Sequence, residues 1–114
     1  MRRLEKKLKK AGWKSNNYID SIEFIKDSFS IFVKETAEFD YFVNDGGFIY
    51  DNSYGELNKD IVDFISDAYE VSKICDNFGI CYYYLKVNNY SDLEKSIFYF
   101  LDFLKDAYES AKEK

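Results

Sequence analysis

Between Tyr18 and Val43 the apolar residues recur at alternate positions: Ile22 and Phe24, then Phe29, Ile31 and Val33, then Phe39, Tyr41 and Val43. A period of two turns one face of an extended chain toward a core and the other toward water, so this stretch predicts three strands. Lys26-Asp27-Ser28 and Thr36-Ala37-Glu38 are short enough to be hairpin turns, which makes an antiparallel meander the economical topology. Asn44-Asp45-Gly46-Gly47 is a further turn signal, after which Phe48-Ile49-Tyr50 reads as a brief fourth strand or edge.

Outside this block the period becomes helical. Residues 2–11 place Leu4, Leu8 and Ala11 on one face, with Gly12 as the C-terminal cap and Trp13 positioned to fold back. Residues 57–75 set Leu57, Ile61, Phe64, Ile65, Ala68 and Cys75 on one side of a second helix, which Asn77 or Gly79 stops. Ile80 to Val87 is aromatic and β-branched enough for a further strand. Ser91-Asp92-Leu93-Glu94 has the form of a capping box. It opens a final helix whose inner side is Leu93, Ile97, Phe100, Leu101, Leu104, Ala107 and Ala111. The order α-β-β-β-(β)-α-β-α predicts a single α+β domain over residues 1–114: an N-terminal helix, an antiparallel sheet of three to five strands, and two long helices packed on it.

The 114 residues are 46% hydrophobic and 20% aromatic, enough for one dense core and too apolar for intrinsic disorder. Histidine is absent, which removes the commonest metal ligand and the only side chain that titrates near neutrality unaided. A Ser or Cys nucleophile would lack its usual base, and the many carboxylates single out no acid/base pair. An EF-hand frame on Asp40 to Asp51 would put Tyr41 and Val43 at ligand positions, and the Gly46-Gly47 pair lacks the spacing and lysine of a phosphate cradle. The Glu5-x-Lys7 match to a magnesium nuclease motif falls in a terminal helix and not on a strand. The expectation is a non-enzyme with no metal and no cofactor. Cys75 and Cys81 match no zinc pattern and read as buried thiols of a reducing compartment. Met1 runs straight into Arg2 and Arg3 without a signal-like apolar stretch, and no apolar run reaches membrane-spanning length, so a cytoplasmic protein is expected.

The net charge of −5 hides a division. Residues 1–14 carry seven Lys/Arg against one Glu, and the remaining residues carry nine against twenty acids, a charge of −11. An acidic body is drawn to basic protein surfaces and repels nucleic acid at long range, which favours a protein partner. Asp60, Asp63, Asp67 and Glu70 form one helical stripe, and Asp102, Asp106, Glu109 and Glu113 form another, with Lys105 and Lys112 relieving only part of it. The segment Asp63 to Glu70 is echoed thirty-nine residues later by Asp102 to Glu109. Carboxylates about 5–6 Å apart match the spacing of phosphates along a strand and so suit a basic nucleic-acid groove; the plain alternative is a pair of solvated helix faces. Tyr54 and Tyr69 are candidate anchors beside these stripes, and Asp45 and Asp51 candidate additions to the contact surface. A different reading gives Arg2, Arg3, Lys6, Lys7, Lys9, Lys10 and Lys14 to nucleic acid, with Trp13 or Tyr18 stacking on a base.

The hairpin FDYFVNDGGFIYDN followed by a helix, the lone strand YYYLKV and the helix opening NNYSDLEKSI resemble a small domain of prophages and other mobile elements, over roughly residues 28–108. That resemblance implies no activity. A small acidic chain rich in Lys, Asn, Ile, Tyr and Phe, without Pro or His, is also similar in type to phage-encoded anti-CRISPR proteins from AT-rich hosts. This similarity implies an inhibitor that blocks the basic nucleic-acid channel of a CRISPR effector in the host cytoplasm. An immunity protein or antitoxin neutralising a basic nuclease toxin is the alternative of the same kind.

Overall fold

A computed structural model describes residues 1–36, 40–52 and 57–112. Helix α1 (Arg2–Lys10) leads into strands β1 (Lys14–Asn17), β2 (Ile22–Lys26), β3 (Phe29–Glu35) and β4 (Tyr41–Asn44). The short helix α2 (Phe48–Asn52), helix α3 (Lys59–Ala68), strands β5 (Ser72–Cys75) and β6 (Cys81–Val87), a 3-10 turn (Tyr90–Asp92) and the long helix α4 (Leu93–Ala111) follow. The six strands form one antiparallel sheet in the order β1-β2-β3-β4-β6-β5. The α+β class, the meander and the helices packed on the sheet are as the sequence predicts.

Alternation sets the layers. Ile22, Phe24, Ile31, Val33, Tyr41, Val43, Tyr83 and Val87 are buried on one side of the sheet. There they meet Leu93, Ile97, Phe100, Leu101, Phe103, Leu104, Ala107 and Ala111 of α4, Leu4 and Leu8 of α1, and Ile49 of α2. Two-residue reversal at Asp27-Ser28, both with positive φ, joins Lys26 to its partner Phe29, the geometry that matches strand twist in tight hairpins. At the end of α1, Gly12 adopts φ +93°. The Trp13 N–H donates to Leu8 O (2.9 Å) and the Gly12 N–H to Lys9 O (3.1 Å), closing the helix and sending Trp13 into the core. Ala11 is exposed just past the helix end, not on its buried side.

Several expectations are corrected. Asn44-Asp45-Gly46-Gly47 does not lead into a strand: Phe48–Asn52 is helical. Asp45 explains why. Its carboxylate accepts from the N–H groups of Gly47 (3.0 Å), Ile49 (3.1 Å) and Tyr83 (3.2 Å), capping α2 and tying it to β6. Gly46 fits because a Cβ there would run into the Phe32 ring.

The second long helix is also shorter than its pattern. It begins at Asn58, whose side chain accepts from the N–H groups of Asp60 and Ile61, and ends at Ala68. Glu70 takes φ +56°, the Val71 N–H returns to Ser66 O (2.9 Å) and the Glu70 N–H to Asp67 O (3.1 Å). This repeats the closure of α1 with Glu in the place of glycine. The chain then turns into β5, which puts Cys75 directly opposite Cys81. The two are joined by a disulfide and are not buried thiols, so they carry no argument for a reducing compartment. At α4, the residue before the helix is Asp92, with no side-chain cap bond, so the Ser91/Glu94 capping box does not form.

Glu70→Gly removes the cost of a left-handed non-glycine residue and should raise unfolding free energy by about 1 kcal/mol, read by urea denaturation. Burial pushes the Asp45 carboxyl up to about 6, against the pull of its three N–H donors. A folded value above the ordinary 3.8 means that proton uptake stabilises the fold, fully below about pH 4 and lost as pH rises through about 6. From about pH 7.5 to about pH 5 this group should therefore add about 1–1.5 kcal/mol, and Asp45→Asn should flatten that slope in matched urea titrations.

Candidate protein-docking face

Helices α3 and α4 pack side by side, with Ile65 and Val62 of α3 buried. Their termini are tied together: the Asn58 N–H donates to Ala111 O (2.7 Å), and Leu57 bridges to Lys112. Where α3 ends, the Tyr69 hydroxyl donates to Asp106 Oδ2 (3.0 Å) and its ring meets Tyr99 and Phe103 edge-on. The Tyr99 hydroxyl in turn donates to Tyr69 O (2.8 Å). Burial, the Asp106 bond and the nearby charges of Asp106 and Asp102 all raise the Tyr69 hydroxyl above its ordinary range. The end of the first predicted stripe therefore meets the second at Tyr69.

The individual carboxylates divide. Asp60 and Asp67 of α3, and Asp102, Asp106 and Glu109 of α4, are exposed; Glu70 is exposed too but stands just beyond α3 in its left-handed cap. Among the described residues none of these six is in an ion pair with Lys or Arg. The lysines expected to relieve α4 are engaged elsewhere. Lys105 reaches across to Asp27 in the β2–β3 turn, and Lys112 lies over the Tyr108 ring. Asp63 is different: it is half-buried, accepts from the Tyr83 hydroxyl (3.0 Å) and pairs with Lys73 (3.8 Å), so it braces α3 against the sheet. Asp45 is 1% exposed and belongs to the interior, which corrects its place on a contact surface. Asp51 is exposed on α2. Tyr54 and Glu113 lie outside the described residues.

The pattern of α3 misleads in a useful way. Ile61 and Phe64, expected inside, are 37% and 74% exposed, and Ala68 is exposed as well. The buried set is Val62, Ile65 and Ser66, with Ser66 Oγ donating to Val71 O (2.6 Å). Apolar residues at 61, 62, 64, 65 and 68 allow two helical faces, and the Ser66–Val71 closure together with the Asp63–Tyr83 bond selects the less apolar one. Phe64 is thus an exposed aromatic side chain on a helix carrying Asp60 and Asp67, a site that the anchors Tyr54 and Tyr69 did not include.

The basic segment is arranged otherwise. Arg2, Arg3, Lys6 and Lys10 on α1 and Lys14 on β1 are exposed, whereas Lys7 pairs with Glu94 (3.4 Å) and Lys9 with Glu5 (4.0 Å). Trp13 is buried against Phe98 and cannot stack on a base; Tyr18 stacks on Phe32 and donates to Glu23. A cavity of about 210 Å³ between α2, α3, β5 and β6 is lined by Ile49, Tyr50, Lys59, Val62, Lys73, Cys81 and Tyr83, and the Cys81 sulfur is held in the disulfide with Cys75. Among the described residues no three His, Cys, Asp or Glu side chains gather as a metal site, and no helix is long and apolar enough to cross a membrane. No protein-family model, curated protein or solved structure matches the chain.

The rotation of α3 can be measured. Phe64→Ala should change unfolding free energy by less than about 0.5 kcal/mol, whereas Ile65→Ala, one residue away, should cost about 2–4 kcal/mol in the same denaturation assay.

Proposed function

We propose that this chain is a non-enzymatic inhibitor that docks its α3–α4 face on a basic protein surface built to hold nucleic acid. The observation that carries the reading is Phe64, an apolar anchor 74% exposed on a helix whose outward carboxylates, Asp60 and Asp67, have no lysine or arginine partner among the described residues. An aromatic side chain that loses its water on binding supplies affinity, and surrounding charge supplies rate and choice of partner. Asp102, Asp106 and Glu109 extend the negative surface along α4, with Tyr69 and Tyr99 between the helices. Such a face suits the nucleic-acid channel of a CRISPR effector, which supports a reading as an anti-CRISPR protein; a nuclease toxin held by an immunity protein would present the same chemistry.

Competition measures this directly. A CRISPR effector or basic nuclease is incubated with a labelled nucleic-acid substrate and increasing amounts of this protein, at two salt concentrations. Displacement of the substrate is expected, weakened about tenfold or more by Phe64→Ala. The combined variant Asp67→Lys, Asp102→Lys, Asp106→Lys should lose displacement and its salt dependence. A triple variant that still competes as well as the parent refutes the docking face. Binding of the labelled nucleic acid by the chain itself, lost with Arg2, Arg3, Lys6 and Lys10 changed to Ala, would transfer the function to α1.

A further inference from the structure

Strand β5 has no core side chain to anchor it. All four of its residues are exposed, and as the last strand of the sheet it has one ladder neighbour, β6. The Asp76 N–H donates to Ile80 O (2.9 Å), and antiparallel alternation from that bond makes Ile74–Tyr82 and Ser72–Tyr84 the hydrogen-bonded pairs of the ladder. Cys75 and Cys81 form the pair in between, which exchanges no backbone bonds, and there the chain places its disulfide.

The strand carries a charge that matters to α3. Lys73 reaches Asp63 (3.8 Å) and lies over the Tyr83 ring at 5.9 Å, bringing α3 the cation that Asp60 and Asp67 lack among the described residues. Both flanks of the strand are fixed. Val71 is buried, with its N–H bound to Ser66 O and its carbonyl accepting from Ser66 Oγ, and Tyr83 is buried on β6. Residues 72–80 lie between these anchors.

We propose that the Cys75–Cys81 disulfide is a thiol-operated latch. Closed, it clamps β5 and keeps Lys73 on Asp63; opened by a dithiol, it lets residues 72–80 lift from β6 while the rest of the domain stays folded. Cys75 is exposed and Cys81 half-buried, so a thiolate of the reductant attacks Cys75 Sγ. The bond between the two sulfurs breaks, and Cys81 Sγ leaves with its electron pair and takes a proton. The second thiol of the reductant then displaces Cys75 from the mixed disulfide. Two electrons and two protons pass to the protein, and the dithiol becomes a cyclic disulfide.

Placement distinguishes a latch from a structural staple. The bridged residues are six apart, and the turn between them is already shaped by the Asp76 carboxylate, which accepts from the N–H groups of Phe78 (2.9 Å) and Ile80 (3.0 Å). β5 gives nothing to the core, so its release uncovers no buried β5 side chain. A fully exposed strand paired on one side belongs to the part of a fold that opens locally once its clamp is gone. On the docking reading given above, release of Lys73 leaves Asp63 as a third carboxylate on α3 without a cation, so the reduced form is the stronger competitor for a basic surface.

Amide hydrogen exchange of the full chain, oxidised and then reduced with dithiothreitol, reads the latch with no partner present. In the reduced chain Ser72, Ile74, Tyr82 and Tyr84 should exchange at least about tenfold faster, with β2 and β3 still protected and circular dichroism still that of a folded chain. Lys73 should react about threefold faster or more with an amine-directed ester, and Lys59 at an unchanged rate. The double variant Cys75→Ser, Cys81→Ser should match the reduced chain and ignore the reductant; if it does not fold, Cys75→Ala, Cys81→Val takes its place. Unchanged exchange at β5 after complete reduction overturns the proposal, as does a disulfide that dithiothreitol cannot open in the native chain, or loss of the whole fold on reduction. In the competition assay the reduced chain should displace substrate at about half the concentration or less. If neither form competes while the exchange still changes, the docking face is refuted and the latch stands.

Discussion

One buried carboxylate fixes the relation between the two halves of the molecule. Asp45 stands at the end of β4, and through three N–H groups it holds the start of α2 and the middle of β6, thirty-eight residues away. Burying that charge is unfavourable, and its raised protonation point records as much. The bonds are still worth having, because the chain reverses here at two glycines and several backbone donors would otherwise lack an acceptor. With β6 drawn against β4, Tyr83 faces inward, its hydroxyl reaches Asp63, and α3 is set over the edge of the sheet. The orientation of α3, and hence the exposure of Phe64, depends on that chain of contacts.

Much of this was legible in the residues, and the gaps have causes. Strands β2, β3 and β4 could be read because each buries one face, so its side chains alternate. Strands β1 (Lys-Ser-Asn-Asn) and β5 (Ser-Lys-Ile-Cys) could not, since they are the sheet's two edges and neither buries a face. The end of α3 was hidden by Glu70, which does a glycine's work without a glycine's signature. Overrunning that end carried Cys75 into an imagined helix and concealed its pairing with Cys81. The role of Asp45 is non-local, and a local motif such as Asn-Asp-Gly-Gly shows only that the chain turns. The α4 stripe was readable because Asp102, Asp106 and Glu109 lie opposite an unbroken apolar side. The face of α3 was ambiguous because five apolar residues in eight support two orientations, and only tertiary partners choose between them.

The hairpin of β5 and β6 shows how an edge can be held without a core. All four residues of β5 are exposed. The Asp76 side chain accepts from the N–H groups of Phe78 and Ile80, the Tyr82 hydroxyl points to it, and the disulfide closes the loop at its base. The tip, Phe78, is 89% exposed on this braced turn. Local hydrogen bonds and one covalent link therefore do at this edge what burial does for β3 and β4.

The helices' confinement to one side of the sheet gives the molecule a front and a back. Engagement of either leaves the other accessible, because no described helix wraps around the edge to serve both. A probe attached to the back would therefore leave the acidic front free, a separation that a sheet covered on both sides does not allow.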